Sequence, residues 1–107
     1  MVRPWQSEGF VVRLYFVALR NPELALARVA ERVAAGGHNV PDVTVRRRWQ
    51  AGLQSLFEIY VPLVDAWSLA DNSGPDLIEV ARGEHAEVEV VEHELWEHYR
   101  KASGLSP

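Results

Sequence analysis

The chain has 107 residues, of which 48% are hydrophobic and 24% charged, and this composition is typical of one small globular domain. Its 11 basic and 15 acidic residues give a formal charge of −4, which argues against general nucleic-acid binding. The absence of cysteine excludes disulfides and thiolate metal sites, and no apolar run reaches the roughly 18 residues of a membrane span. Because the first residues do not resemble a signal peptide, we predict a single cytoplasmic domain over 1–107, with neither nucleic acid nor membrane among its partners.

The first periodic segment, residues 10–19, is almost continuously apolar and rich in β-branched and aromatic side chains. This composition predicts a strand covered on both faces, as in a parallel sheet with helices on either side. Asn21, Pro22 and Glu23 then form a helix start, with an N-cap, a first-position proline and a first-turn acid. The helix is expected to end near Ala35, before a Gly-Gly pair. Its predicted buried stripe comprises Leu26, Val29, Ala30 and Val33.

A second helical pattern opens at Pro41 and carries apolar residues at helical spacing as far as Trp67. Pro62 falls inside this pattern, so we expect the helix to kink or end there. A short strand over residues 68–74, ending in a polar turn, is expected to follow.

The last third of the chain predicts a hairpin and a terminal helix. Residues 77–82 and 85–90 have period-two character, and the Gly83-Glu84 pair between them indicates the hairpin turn. Residues 92–102 predict the terminal helix. Its predicted anchors are Leu95, Trp96 and Tyr99.

Two histidines in the terminal helix do not form a zinc motif. His93 and His98 are five residues apart, whereas zinc-binding helices place histidines four residues apart on one face. A solvated pair between Glu94 and His98 is expected instead, and no metal ligand is predicted.

Positive charge is concentrated early in the chain, where residues 13–48 hold seven arginines. We interpret residues 28–48, the two helix ends and the turn between them, as an anion-facing lid, because arginine grips phosphate bidentately. Successive helical residues turn by about 100°, so Arg46, Arg47 and Arg48 cannot all face one ligand. Arg46 is nearest the apolar stripe and is the stronger candidate, whereas Arg47 and Arg48 are expected to face solvent or form salt bridges.

Four motifs carry a resemblance to a known family. They are Pro22-Glu-Leu-Ala-Leu-Ala-Arg-Val-Ala-Glu-Arg-Val33, Gly36-Gly-His-Asn-Val-Pro41, Val45-Arg-Arg-Arg-Trp49 with Gly52-Leu53, and Asp71-Asn-Ser73. Together they resemble the C-terminal half of bacterial zeta-toxin-like P-loop kinases, over about residues 9–96. The resemblance implies an α/β fold that is a partial P-loop kinase fold. Its expected parts are a parallel-sheet strand, a two-helix lid region, a short strand, and a C-terminal hairpin with its helix over about residues 76–103.

The resemblance also implies ATP-dependent phosphoryl transfer to a small-molecule hydroxyl, with ATP and Mg²⁺ as cofactors. In characterised toxins of the family the acceptor is an amino-sugar nucleotide. This chain departs from the family because it has no Gly-x-x-x-x-Gly-Lys-Ser/Thr loop, and its single lysine is Lys101 in the tail. Phosphoryl transfer depends on positioned phosphates, so we expect the chain alone to be inactive, as a truncated product or one half of a split enzyme.

The resemblance implies nucleotide contacts, each of which has a structural alternative. Arg32 is similar to a lid arginine that contacts phosphate, but the same helix has a solvated face on which Arg28 is expected to lie. His38 occupies a turn where some members carry a second lid arginine, and it could instead cap the preceding helix. Asp71 and Asn72 correspond to a loop near the nucleotide base, or form an ordinary turn. The predicted cofactor-binding residues are Arg32, His38, Arg46, Arg47, Asp71 and Asn72.

An alternative from a different class is a non-catalytic interaction module derived from this fold. It would bind a protein through an open sheet edge or an apolar patch, and an exposed strand edge also predicts self-association. The expected partners are therefore an N-terminal kinase half or a homo-oligomer, with nucleotide bound once the fold is completed.

Overall fold

The computed structural model describes residue 9, residues 11–85 and residues 87–104. The fold is mixed α/β, as predicted. Its strands are β1 (Arg13–Ala18), β2 (Ala66–Asp71), β3 (Ile78–Glu84) and β4 (Glu87–Val90). Its helices are α1 (Pro22–Ala34), α2 (Asp42–Ser55), the short α3 (Val61–Leu63) and α4 (His93–Ala102). In these described ranges no helix is long and apolar enough to cross a membrane.

The four strands form one mixed sheet in the order β1-β2-β3-β4. β1 and β2 are parallel, whereas β3 and β4 continue the sheet in antiparallel fashion. Ala18 pairs with Asp71, so the carboxyl ends of β1 and β2 meet at the same edge of the sheet. A bulge places Val80 as an extra residue of β3 opposite Leu69 and Ala70, and both Val80 and Ala81 are buried.

One face of the sheet is covered and the other is open. Leu14 and Phe16 pack against the core from the covered face, whereas the side chains of Tyr15 and Val17 are 75% and 55% exposed on the open face. The prediction that β1 is covered on both faces is therefore wrong. β1 is apolar in composition, but no described helix packs over the face that carries Tyr15 and Val17. Phe10, the predicted first residue of this strand, lies outside the described residues.

The core lies between the covered face of the sheet and the helices α2 and α4. Its fully buried side chains include Leu53, Leu56, Leu69, Val80, Ala81 and Tyr99. Helix α1 has almost the predicted bounds, but the predicted buried stripe is wrong, because none of its residues is buried and Val33 is exposed. The physical reason is that the main packing partner of α1 is α2.

The helical pattern after Pro41 breaks near Pro62, as predicted. After Ser55 the backbone widens into a π-helical turn over Leu56–Tyr60, and the helix ends at Leu63. Proline lacks an N–H group and its ring crowds the carbonyl four residues earlier, which a wider turn accommodates. Trp67, assigned to the same stripe by its spacing, lies in β2.

The C-terminal hairpin and helix form as predicted, but the hairpin turn is displaced. β3 continues through Gly83 and Glu84, and the turn is at His85, which adopts a positive φ of 50°. Gly83 faces the indole of Trp67, where an added Cβ would be 2.2 Å from Nε1. This glycine therefore permits close packing inside a strand and does not form a turn.

Candidate functional site

The candidate site is the sheet edge at which β1 and β2 both end. In open α/β sheets, ligands bind outside the carboxyl ends of parallel strands. Here the loops after the two strands are joined directly. The backbone N–H of Asn72 donates to the carbonyl of Ala18 (2.8 Å), and the N–H of Arg20 donates to Ser73 Oγ (2.8 Å).

Asp71, the last residue of β2, is fully buried at this edge. Its Oδ1 accepts hydrogen bonds from the hydroxyls of Tyr99 and Ser73, the latter at 2.8 Å. Its Oδ2 accepts a hydrogen bond from Nε of Arg20 (3.2 Å) and lies 3.2 Å from Nη2 of the same guanidinium. The carboxylate therefore connects α4 to the loops that follow β1 and β2.

The electrostatics of Asp71 follow from these contacts. Burial by itself would raise the pKa of Asp71, but the hydrogen bonds from Tyr99, Ser73 and Arg20 outweigh burial and hold that pKa below its ordinary value. Burial, reinforced by the carboxylate of Asp71, raises the pKa of Tyr99 strongly. Asp71 is therefore ionised and Tyr99 protonated at neutral pH.

Two further side chains hold the loop after β1. Trp49 Nε1 donates to the carbonyl of Leu19 (2.8 Å), and His98 Nε2 contacts the carbonyl of Arg20 (2.5 Å). The predicted pair between Glu94 and His98 is therefore wrong, because the imidazole contacts this loop. Together, α2 and α4 fix the backbone from which Arg20 projects.

Arg28 reaches this edge from the second half of α1. Its Nη2 donates to the carbonyl of Asn72 (3.2 Å), and the side chain is partly buried. The expectation that Arg28 lies on a solvated face is therefore wrong, because α1 lies beside the loop after β2. Arg28 and Arg20 bring two guanidinium groups to the end of the parallel strand pair.

Arg46, the fifth residue of α2, contacts the first turn of α1. Its Nη1 lies 2.5 Å from Glu23 Oε2, and both side chains are exposed. The hydrogen bond from Arg46 lowers the pKa of Glu23. An exposed ion pair of this kind contributes little to stability, so Arg46 can exchange this partner for another anion at small cost.

Of the other residues predicted for the lid, Arg32 lies near the C-terminal end of α1, His38 lies in the loop that follows, and Arg47 lies in α2. Arg32 is ten residues from Pro22, or about 15 Å along the helix axis. The side chains of Arg32, His38 and Arg47 are exposed and form no hydrogen bond or ion pair with other described residues. The alternative that His38 caps α1 is wrong, because the N–H groups of Gly36 and Gly37 bond the last carbonyls.

The structure thus brings together only part of the predicted set. Asp71 and Asn72 lie at the sheet edge, Arg46 lies beside the start of α1, and Arg32 and His38 lie apart from them. Sequence reasoning missed Arg20 and the site role of Tyr99. The position of Arg20 between a strand and a helix N-cap was the available signal for it, since such loops carry ligand contacts in α/β folds.

The groups still available at this edge are guanidinium groups, whose chemistry is suited to contacting an anion. The oxygens of Asp71 already accept hydrogen bonds from three side chains, which leaves the carboxylate poorly placed to act as a base or as a metal ligand. The described residues contain no group of three or more metal-ligating side chains. Arg20 keeps 44% of its side chain exposed, so its guanidinium can reach a further anion while it remains bound to Asp71.

Comparison does not assign the chain to a family. The resemblance to zeta-toxin-like kinases therefore remains a prediction that rests on the four motifs. Comparisons with known protein families, with curated proteins and with solved structures find no match.

Proposed function

We propose that this chain supplies the lid and C-terminal half of a zeta-toxin-like ATP-dependent kinase, completed by a segment that carries a P-loop. The resemblance of the four motifs supplies the chemistry, which is phosphoryl transfer from ATP to a small-molecule hydroxyl. The observation that carries the proposal is the outer edge of β1, with which no other described strand pairs. β1 is the outer strand of a parallel pair and has an open face.

A strand added parallel to β1 explains how the two halves would meet. Such a strand would end at the same edge of the sheet as Ala18 and Asp71. A P-loop directly follows its strand and binds phosphates with its backbone amides. The phosphates would therefore lie near Arg20 and Arg28, whose guanidinium groups reach this edge.

The arginines take different roles in this proposal. Arg20 and Arg28 provide fixed positive charge at the phosphate position, since hydrogen bonds to the carboxylate of Asp71 and the carbonyl of Asn72 hold them in place. The lid contains Arg32, His38, Arg46 and Arg47. These side chains would reach the phosphates only when the lid closes over them. Arg46 would then exchange Glu23 for the nucleotide. Mg²⁺ would be held by the nucleotide and the completing segment, and we assign it no ligand in this chain.

Reconstitution tests this function. The chain is mixed with the polypeptide encoded directly upstream of it, and nucleotide binding and phosphoryl transfer are measured. We expect that polypeptide to contain Gly-x-x-x-x-Gly-Lys-Ser/Thr and the mixture to bind ATP. The proposal is contradicted if no such loop is encoded there, or if a stable mixed complex binds no ATP.

A second candidate function is a non-catalytic interaction module. It is favoured by the closed hydrogen-bond network around Asp71, which contributes to the fold without any ligand. The reconstitution separates the two, because an interaction module would form a complex through its sheet without gaining ATP binding.

A further inference from the structure

The outer edge of β1, on the side away from β2, carries backbone groups that no described strand pairs with. The carbonyls of Val12 and Ala18 accept hydrogen bonds from residues at the two ends of β2. The alternate residues Arg13, Tyr15 and Val17 therefore direct their N–H and C=O groups away from β2. Among the described residues no strand pairs with that side of β1. An edge of this kind is a template for another strand.

We propose that a second copy of this chain closes this edge. The two β1 strands would run antiparallel about a two-fold axis at Tyr15, so that one continuous eight-stranded sheet forms. In this register Tyr15 faces its own twin and Arg13 faces Val17 of the other copy. These are hydrogen-bonded pairs, which exchange two bonds each. The register pairs every outward-facing residue of β1.

The side chains fit the same register on both faces. On the open face, the exposed rings of Tyr15 pair with each other, and Arg13 meets Val17, so no like charges are opposed. On the covered face, Leu14 of one copy lies opposite Phe16 of the other. Both are only partly buried in the single chain, so the pairing would extend the core across the two-fold axis.

The opposite edge of the sheet differs. β4 carries Glu87 and Glu89 with only Val88 between them. Arg82 pairs with Glu89 (3.0 Å), so the acid that disfavours a second copy at this edge is Glu87. Acidic edges of this type resist self-pairing, whereas β1 has one charged residue among six. The contrast assigns the self-pairing edge to β1.

The homodimer depends only on the backbone directions and side chains of β1, and not on the proposed kinase role. If a P-loop strand also binds this edge, the two associations compete, and the homodimer is the form of the chain without the completing segment. If the homodimer is disproved, the association with a P-loop strand can still be tested by reconstitution, and the reverse also holds.

Single cysteines test the register, because the chain has no cysteine of its own. The Cα atoms of a hydrogen-bonded pair are about 5.5 Å apart, within the roughly 4.4–6.8 Å of disulfides. Tyr15→Cys should therefore form a disulfide-linked dimer under mild oxidation. Val17→Cys should not, because the two copies of residue 17 are offset by roughly 13 Å along the strands. A mixture of Arg13→Cys and Val17→Cys should give the mixed dimer.

Sedimentation tests the association without cross-linking. The chain should sediment at about twice its 12.1 kDa mass at tens of micromolar. Tyr15→Lys, which opposes two like charges on an exposed site, should raise the dimer dissociation constant at least tenfold. Val43→Lys is the matched control, since Val43 is 70% exposed on α2. A monomer at all concentrations, or cross-linking of Val17→Cys as efficient as that of Tyr15→Cys, would overturn the proposal.

Discussion

The hydroxyl of Tyr99 donates a hydrogen bond to the buried carboxylate of Asp71, which lies 28 residues earlier in the chain. This bond joins the terminal helix to the end of β2, and Arg20 completes it from the loop after β1. One charged group therefore fixes the geometry of the edge at which the candidate site lies. Both the fold and the proposed phosphate position depend on it.

Removing the hydroxyl of Tyr99 should destabilise the fold. Tyr99→Phe leaves the buried carboxylate of Asp71 without one of its donors, and we expect a loss of about 1–3 kcal/mol in the free energy of unfolding. Urea denaturation followed by circular dichroism measures it. Tyr60→Phe is the matched control, since Tyr60 is exposed and lies outside the proposed dimer contact, and equal stability of the two variants would contradict the proposed role of the bond.

Stability should fall in acid because of Asp71. The pKa of Asp71 is lower in the folded chain than its ordinary value of 3.8, so the ionised form stabilises the fold above that value. This stabilisation is lost as the pH falls through the lowered pKa.

Urea midpoints measured from pH 6 to about pH 2.5 should therefore decline more steeply for the parent chain than for Asp71→Asn, which does not titrate at this position. The comparison removes the contribution of the other carboxylates, which both chains share. Parallel curves would show that Asp71 has the same pKa in the folded and unfolded chains.

Gly83→Ala should destabilise the fold although it adds only one methyl group. The new Cβ would be 2.2 Å from Trp67 Nε1, and relief requires the indole or the strand to shift. Overpacking of this size costs about 1–3 kcal/mol, measurable as a lower urea midpoint. Gly74→Ala is the control, because an added Cβ there meets nothing within 4 Å. A neutral Gly83→Ala would show that the indole is not packed against this strand.

Arg46 and Arg48 should contribute differently to ATP binding in the proposed kinase complex. Arg46→Ala is expected to weaken ATP binding by about 10–100-fold, the cost of one hydrogen bond to a charged group. Arg48→Ala should leave the affinity unchanged, because Arg48 is predicted to face solvent. Calorimetric titration of the reconstituted complex measures both variants. An equal loss in the two would mean that the segment acts only through its total charge.

Local sequence patterns predicted the helices and strands more accurately than they predicted which faces of those elements are buried. The N-cap at Asn21 and the proline at position 62 act within one or two helical turns, and α1 and the helix break follow them. The burial of β1 depends on which face of the sheet the helices pack against. The apolar composition of β1 does not determine that face. The turn at His85 was missed because the role of Gly83 depends on Trp67, sixteen residues earlier.

The candidate site was predictable only in part for the same reason. Asp71 and Asn72 follow a strand, so their position at the sheet edge could be expected. Arg20 and Tyr99 join Asp71 across 51 and 28 residues, and no local spacing relates them. Arg28 was assigned to solvent because its partner, the carbonyl of Asn72, is a backbone group that sequence does not distinguish.

The central claim is that the phosphate site is incomplete until a P-loop segment joins this chain. Titration of the isolated chain with Mg·ATP, followed by calorimetry, tests this claim most directly. We predict no saturable binding at concentrations up to about 1 mM, because weaker interactions reflect only nonspecific attraction to the arginines. Saturable binding of one ATP per chain with a micromolar dissociation constant would contradict the account.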